Sequence, residues 1–445
     1  MLPNRKFTGI AFISLLLSSA GTVNGASLIE VYKLAQENDP VIASSKATFQ
    51  ANQTIKTKAL AELLPAIDGS YLWRDGASNF NSLAPKFESE TWNVSLTQNL
   101  FNLQALFGYR QSNSIARQSL LSYSADQQEL IIRVAEAYFN VLRGEDNLTS
   151  AKAEERAIER QLEQTQQRYE VGLIAITDVH EAQAAFDLTV ANRLSLESDL
   201  GIAKESLALI TGEYIETISR LAPNFAATPP DPSNIEAWLS FATENNLELA
   251  LAEERLKEAK ENARVKNSAF APVVVGTVNY NKNDGKTAFG TASPTGNNFE
   301  NDDASISVSL PIFSGGRRWA EKKEAGYQRV AEQANLVNAK RQVIQNTRSQ
   351  FLLTKTDAAR VGARQRAIMS TTSALDATQA GYDAGTRNIV DLLNAQRDLY
   401  AAQRDHANSR YDYIINSLRL KQAAGTISAK DLESIPLEAA AATEK

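Results

Sequence analysis

The stretch YDAGTRNIVDLLNAQ (382–396) has a close relative at 169–183, YEVGLIAITDVHEAQ. Both start with Tyr, place Gly three residues on and Asp six residues after that, and end in Ala-Gln. Each interrupts a long run rich in Ala, Leu, Gln, Glu and Arg, so each reads as one glycine turn between two helices. A turn and an acid that recur together point to a duplicated unit.

The search for further pairs supports duplication. LAQENDPVI (34–42) resembles FATENNLEL (241–249), LLPAIDGS (63–70) resembles FAPVVVGT (270–277), and SLTQNLF (95–101) resembles SVSLPIF (307–313). Ile210-Thr211-Gly212 answers Ala424-Gly425-Thr426. Partners lie about 207 residues apart before the central loops and about 213 after them, so the order is kept and one loop is longer.

Each unit reads as helix, strand, loop, strand, very long helix, turn, helix. The expected first repeat is 26–220, with strands near 66–75 and 90–101, a long helix at 102–170 and a tip turn at 171–177. The second is 234–425, with strands near 272–281 and 304–313, a long helix at 316–383 and a tip turn at 384–389. A Pro-rich linker (221–233) joins them, and a partly disordered tail (426–445) follows.

The strands alternate with period two. Ile67, Gly69, Tyr71 and Trp73 alternate with Asp68, Ser70 and Arg74, and Trp92, Val94 and Leu96 with Asn93, Ser95 and Thr97. Val274, Gly276, Val278 and Tyr280 alternate with Val275, Thr277 and Asn279, and Ile306, Val308 and Leu310 with Ser305, Ser307 and Ser309. One set is small and hydroxyl-rich, as a wet lumen allows; the other ends in Tyr71, Trp73, Trp92 and Tyr280, an expected lipid-interface belt. Stretches 75–89 and 282–303, rich in Asn, Gly, Ser and Asp, read as exposed loops.

Residues 102–168 contain no proline and two glycines. At 1.5 Å per residue this helix is roughly 100 Å long, more than a globular domain buries. Two hairpins supply four membrane-type strands, and an open sheet edge in lipid leaves backbone groups unpaired. Closure needs further copies: a trimer gives twelve strands, whereas a dimer gives eight, filled by side chains.

Composition narrows the class. Arg5 and Lys6, an apolar run at 7–17 and small residues to Ala26 form a secretory signal peptide, expected over 1–25. With no Cys, disulfides, thiolate metal sites and a cysteine-linked lipid anchor are all excluded. The balance of 46 basic and 52 acidic residues, net −6, has no basic cluster of the kind nucleic acid requires. His180 and His406, the two histidines, lack metal-ligand spacing, and no nucleophile, base or phosphate-cradling loop stands out. The chain reads as a non-enzyme without cofactor or metal.

VGLIAITDV (171–179), AYFNVL (137–142), AGTRNIVDLL (384–393) and NSRYDYIINSLRLKQAAGTIS (408–428) resemble the outer membrane factor family, the trimeric efflux and secretion channels. The resemblance spans nearly the whole mature chain. It implies a mixed α+β membrane protein: a homotrimeric 12-stranded β-barrel in the outer membrane of a Gram-negative bacterium, continued by a long α-helical coiled-coil barrel through the periplasm. The Pro-rich stretch and the tail would lie in an equatorial belt. The implied function is an exit duct for tripartite drug efflux and type I secretion, opened when a periplasmic adaptor and an inner-membrane RND or ABC transporter dock at the tip. A structural coiled-coil envelope protein without a pore is the alternative.

Residue by residue, the resemblance makes Gly172, Leu173, Gly385 and Thr386 the tip turns and adaptor-docking positions. Thr177 and Asp178 of the first copy would meet Tyr382 and Arg387 of the second as a latch, each link worth ~0.2–1 kcal/mol. Asp391 matches the acidic ring at the narrowest point, which favours cations. The second acid of that constriction is replaced by Asn394.

Overall fold

The computed structural model describes residues 25–77, 86–288 and 293–438; residues 1–24 of the expected signal peptide, parts of both strand-to-strand loops and the last seven residues lie outside them. The first copy comprises α1 (Leu28–Asn38), α2 (Pro40–Ala61), β1 (Ala66–Ala77), β2 (Lys86–Phe101), α3 (Leu103–Glu170) and α4 (Ile176–Thr211). After β3 (Arg220–Leu221) the second comprises α5 (Ile235–Asn245), α6 (Leu247–Ser268), β4 (Val273–Ala288), β5 (Thr295–Gly296), β6 (Phe299–Ser309), α7 (Arg317–Asp383) and α8 (Ile389–Ala423). The short α9 (Ala429–Glu433) and β7 (Leu437–Glu438) close the chain. Helix lengths in the two copies match pair by pair, at 11 and 11, 22 and 22, 68 and 67, and 36 and 35 residues, so the sequence likeness reflects one unit used twice.

Local chemistry sets the helix ends. Ser27 and Glu30 form a capping box at α1, and Asp39 caps α2 by accepting from the Val41 N–H at 2.9 Å. The second copy caps α6 at the matching joint, where Asn246 accepts from the Leu249 N–H at 3.0 Å. Gly212 and Gly425 end the return helices in the left-handed region, each under an amide: Asn38 donates to the Thr211 carbonyl and Asn246 to that of Ala423, both at 2.9 Å.

The long helices are not buried along their length. The main core gathers at their middle, where Leu130, Val134, Tyr138 and Leu142 of α3 meet Leu28 and Val31 of α1, Ile414 and Leu418 of α8, and Leu432. Tyr138 is fully buried and donates to the Ser219 carbonyl at 2.7 Å; burial raises its pKa. Ion pairs then tie α3 to α8: Glu136 with Arg419 and Asp412 with Arg143, each at 2.6 Å, and buried Glu154 with Arg404 at 2.7 Å. Glu145, beside them, is held above the usual carboxylate range by burial, against the pull of Lys204 and Arg220.

The segment expected as a Pro-rich linker runs along α8. Tyr413 donates to the Thr228 carbonyl at 2.8 Å, Arg410 to that of Ala222 at 2.6 Å, and Trp238 Nε1 to that of Pro232 at 2.8 Å.

Two expectations change. Parts of the segments read as loops are strand: β1 runs to Ala77 and β2 starts at Lys86, and β4 runs to Ala288 and β6 starts at Phe299. β2 pairs with β4 from Lys86↔Ala288 down, so backbone bonding between hairpins carries polar residues that composition assigns to loops. β6 ends at Ser309 instead of residue 313, just before Pro311, which has no N–H to donate. The described part of the tail packs back on the fold: α9 has a capping box between Ser428 and Asp431, Lys421 pairs with Asp431 at 2.6 Å, and β7 pairs with β3.

Candidate functional site

Two regions carry the functional expectations: the sheet, and the far tip of the coiled coils. The sheet order is β1-β2-β4-β6, all antiparallel, with β5 off β4. Residues directly opposite share a face, so the register sorts the side chains. One face carries Ile67, Leu96, Val278 and Ala304 in one rung, Gly69, Val94, Tyr280 and Asp302 in the next, then Tyr71, Trp92, Lys282 and Glu300. The other carries Asp68, Ser95, Asn279 and Asp303, then Ser70, Asn93, Asn281 and Asn301.

One face therefore carries the aliphatic and aromatic side chains, giving way to charge at Lys282, Glu300 and Asp302, and the other is mostly polar. The apolar face is uncovered: Ile67, Ile306 and Val308 are 70, 71 and 67 % exposed. No helix among the described residues is long and apolar enough to cross a membrane.

The aromatic residues follow a diagonal. Trp73 lies opposite Glu90, Trp92 opposite Lys282, and Tyr280 opposite Asp302, so each ring is level with a charge on the next strand. A flat boundary between apolar and polar surroundings crosses tilted strands in this stepped way. Tyr71 and Trp92, direct partners, pack with their rings tilted by 46° and centroids 4.7 Å apart.

At the tip both turns have one geometry. Gly172 (φ 76°) donates to the Tyr169 carbonyl at 2.9 Å and Leu173 to that of Arg168 at 2.9 Å; Gly385 (φ 75°) donates to Tyr382 at 3.0 Å and Thr386 to Gly381 at 2.8 Å. These are Schellman caps, whose bond pattern requires the left-handed residue that glycine supplies. The turns are shorter than expected, because α4 already starts at Ile176 and α8 at Ile389. Thr177 thus sits inside α4, exposed, and Leu173 is 69 % exposed at the apex.

Asp178 and Asp391 occupy the same third helical position, where the helix dipole favours an acid. Their surroundings differ. Asn388 caps α8 by accepting from the Asp391 N–H at 2.8 Å, whereas Ala175 gives α4 no side-chain cap. Arg387, just before that cap, reaches Asp391 at 3.8 Å, both side chains partly exposed. Asn394 is exposed one turn on.

Tyr382 is buried among Ile158, Ile389, Leu392 and Leu393, with Leu375 and Phe186 packed around them. The Arg168 guanidinium lies 5.0 Å from its ring centre, a residue that sequence reasoning passed over. Its hydroxyl is buried without a hydrogen-bond partner. Within one chain Thr177 and Asp178 are not joined to Tyr382 and Arg387; Arg387 instead takes the (i, i+4) acid, a spacing visible in the sequence.

Among the described residues no group of His, Cys, Asp and Glu could hold a metal. His406 is half-buried, and burial and Arg410 lower its pKa.

With this geometry in place, the outer membrane efflux protein family matches residues 31–213 and 238–426, one match per copy. The chain is 36 % identical over 433 residues to the outer membrane protein TolC of Vibrio cholerae, covering 95 % of this chain and 97 % of that one. It is 28 % identical to the alkaline protease secretion protein AprF of Pseudomonas aeruginosa, covering 96 % and 89 %. The crystal structure of the Campylobacter jejuni CmeC outer membrane channel superposes with a TM-score of 0.77 at 16 % identity, covering 95 % and 94 %. The chain belongs to the outer membrane efflux protein family, in the Gram-negative outer membrane with a periplasmic helical extension.

Proposed function

We infer that three copies form one outer-membrane exit duct for efflux and type I secretion, closed at its periplasmic tip and opened when an adaptor and an inner-membrane transporter dock there. The sheet carries this reading. Four strands with one apolar face, one polar face and free edges on β1 and β6 among the described residues make a third of a twelve-stranded barrel. Similarity to a protein named for protease secretion supports the secretion role.

The duct supplies no energy, so it has no need of a catalytic group. Its one moving part is the tip. Asp391, repeated three times about the axis, supplies a negative ring, with Asn394 as the neutral position beside it. Thr177 and Asp178 of one coiled coil meet Tyr382 and Arg387 of another across copies, where the unpartnered Tyr382 hydroxyl needs a partner. Gly172, Leu173, Gly385 and Thr386 form the apex that an adaptor contacts, and Tyr71, Trp73, Trp92 and Tyr280 meet the lipid headgroups.

Purified protein should run as a trimer in detergent and conduct in planar lipid bilayers, with cation preference. A detergent-free monomer without conductance would leave only the poreless coiled-coil reading.

A further inference from the structure

The sheet ends in two free edges, and threefold closure restricts how they meet. Resting on the trimeric-duct reading, we propose that β6 of one copy pairs with β1 of the next in a single register, with Asp303 opposite Arg74, Ser307 opposite Ser70 and Ile306 opposite Tyr71.

A line perpendicular to the strands passes from Trp73 to Glu90 to Asp284. Carried across β6, it must return to β1 of the next copy displaced along that strand. The displacement is an even number of residues, because an odd one turns every side chain to the wrong face. It also fixes the strand tilt. With a rise near 3.4 Å per residue and strands about 4.8 Å apart, four, six or eight residues per copy give tilts of about 35°, 47° and 55°. Membrane barrels tilt by about 35–45°, which disfavours eight. That register also leaves fewer rungs between β6 and β1.

Side-chain chemistry separates the other two. A displacement of four sets Arg74 against Asn301 and Asp303 against Leu72. A displacement of six sets Arg74 directly opposite Asp303 on the polar face. Arg74 is exposed and forms no ion pair among the described residues of its own chain, and Asp303 has only amide partners, Asn279 at 3.2 Å and Asn301 at 3.5 Å. On the apolar face the same register lays Ile306 against the Tyr71 ring and Val308 over Gly69, which covers two of the most exposed aliphatic side chains. It also puts Asp302 opposite Asp75, beyond the line of rings, where water screens the repulsion.

The test uses the absence of native cysteine. The double variant Arg74→Cys with Asp303→Cys, oxidised in outer membranes, should give a covalent trimer on non-reducing gels, with neither single variant doing so. Arg74 is replaced by Leu72→Cys or Gly76→Cys, each with Asp303→Cys, to probe the two shifted registers. A covalent trimer dominated by either of these overturns the register and leaves the trimer standing. No cross-link at any pair, in protein that light scattering in detergent shows to be trimeric, also overturns it. Failure of every variant and the parent to form a trimer sinks the reading beneath it. As a second measure, Asp303→Arg should lower the heat resistance of the trimer, and Arg74→Asp in the same chain should restore it.

Discussion

Replacing Tyr382 with Phe separates a packing role from a latch role. The ring is 6 % exposed, packs on Ile158, Leu392 and Leu393, and lies under the Arg168 guanidinium. Phe keeps all of these contacts. What it removes is a hydroxyl that has no partner within one chain. A buried unsatisfied polar group costs ~1–3 kcal/mol, so in an isolated chain the substitution stabilises by about 1 kcal/mol or more. If the hydroxyl bonds to a neighbouring copy in the closed tip, the sign reverses. Three lost links of roughly 1 kcal/mol each shift the closed-to-open balance by about a hundredfold. The assay pairs single-channel conductance in planar bilayers with thermal melting of the purified trimer. The expected result is a higher conductance and no gain in melting temperature. Unchanged conductance with a raised melting temperature would refute the latch and leave Tyr382 as core.

Three further outcomes are expected. Asp391→Ala should abolish block by multivalent cations added from the periplasmic side, read as current through a single channel, with little change in stability because the side chain is partly exposed. Gly425→Ala should destabilise far more than Gly385→Ala: both sites have positive φ, worth ~1–2 kcal/mol, but a Cβ at Gly425 would lie 2.3 Å from the Asn245 carbonyl oxygen, while Gly385 has open space. Equal loss of melting temperature would show that only φ matters. Glu145 has a raised folded pKa, so the folded state binds its proton more tightly than the unfolded state does. Its contribution to stability is therefore present at low pH and is lost as pH rises through the folded value. Glu145→Gln should be less pH-dependent than the parent, gaining in relative melting temperature as pH rises from the carboxylate range toward neutrality; a constant difference across that range would count against the reasoning.

Helix and strand type were legible because period and composition agree over long runs. The proline-free stretches could only be helix, and strict alternation on four segments could only be a sheet with two unlike faces. Strand ends were hidden for a physical reason: the rungs between β2 and β4 join segments 192 residues apart at Thr91 and Asn283, where an inter-strand side-chain bond also forms, and local composition carries no trace of that partner. The tip was legible as geometry, since Tyr-x-x-Gly with an acid after it fixes both the Schellman turn and the helix start. Its contacts were less so. The Arg387–Asp391 pair is a spacing in the sequence, but Arg168 reaches Tyr382 from 214 residues away, a contact only the fold creates.

The duplication explains how one chain keeps a stable scaffold and still varies the tip proposed as its gate. The two Schellman bonds at one tip turn match those at the other to within about 0.1 Å, so the geometry depends on glycine and main chain rather than on neighbouring side chains. The neighbours have diverged. Where the second copy has Arg387, Asn388 and Asn394, the first has Ile174, Ala175 and Glu181. The second copy thus ties its acid to a cap and a cation, while the first leaves Asp178 without a side-chain partner and adds an acid one turn on. None of these exchanges touches the middle core that joins α3 to α8. Charge at the tip is free to change because the fold does not depend on it, so the two copies can take different parts in one closure.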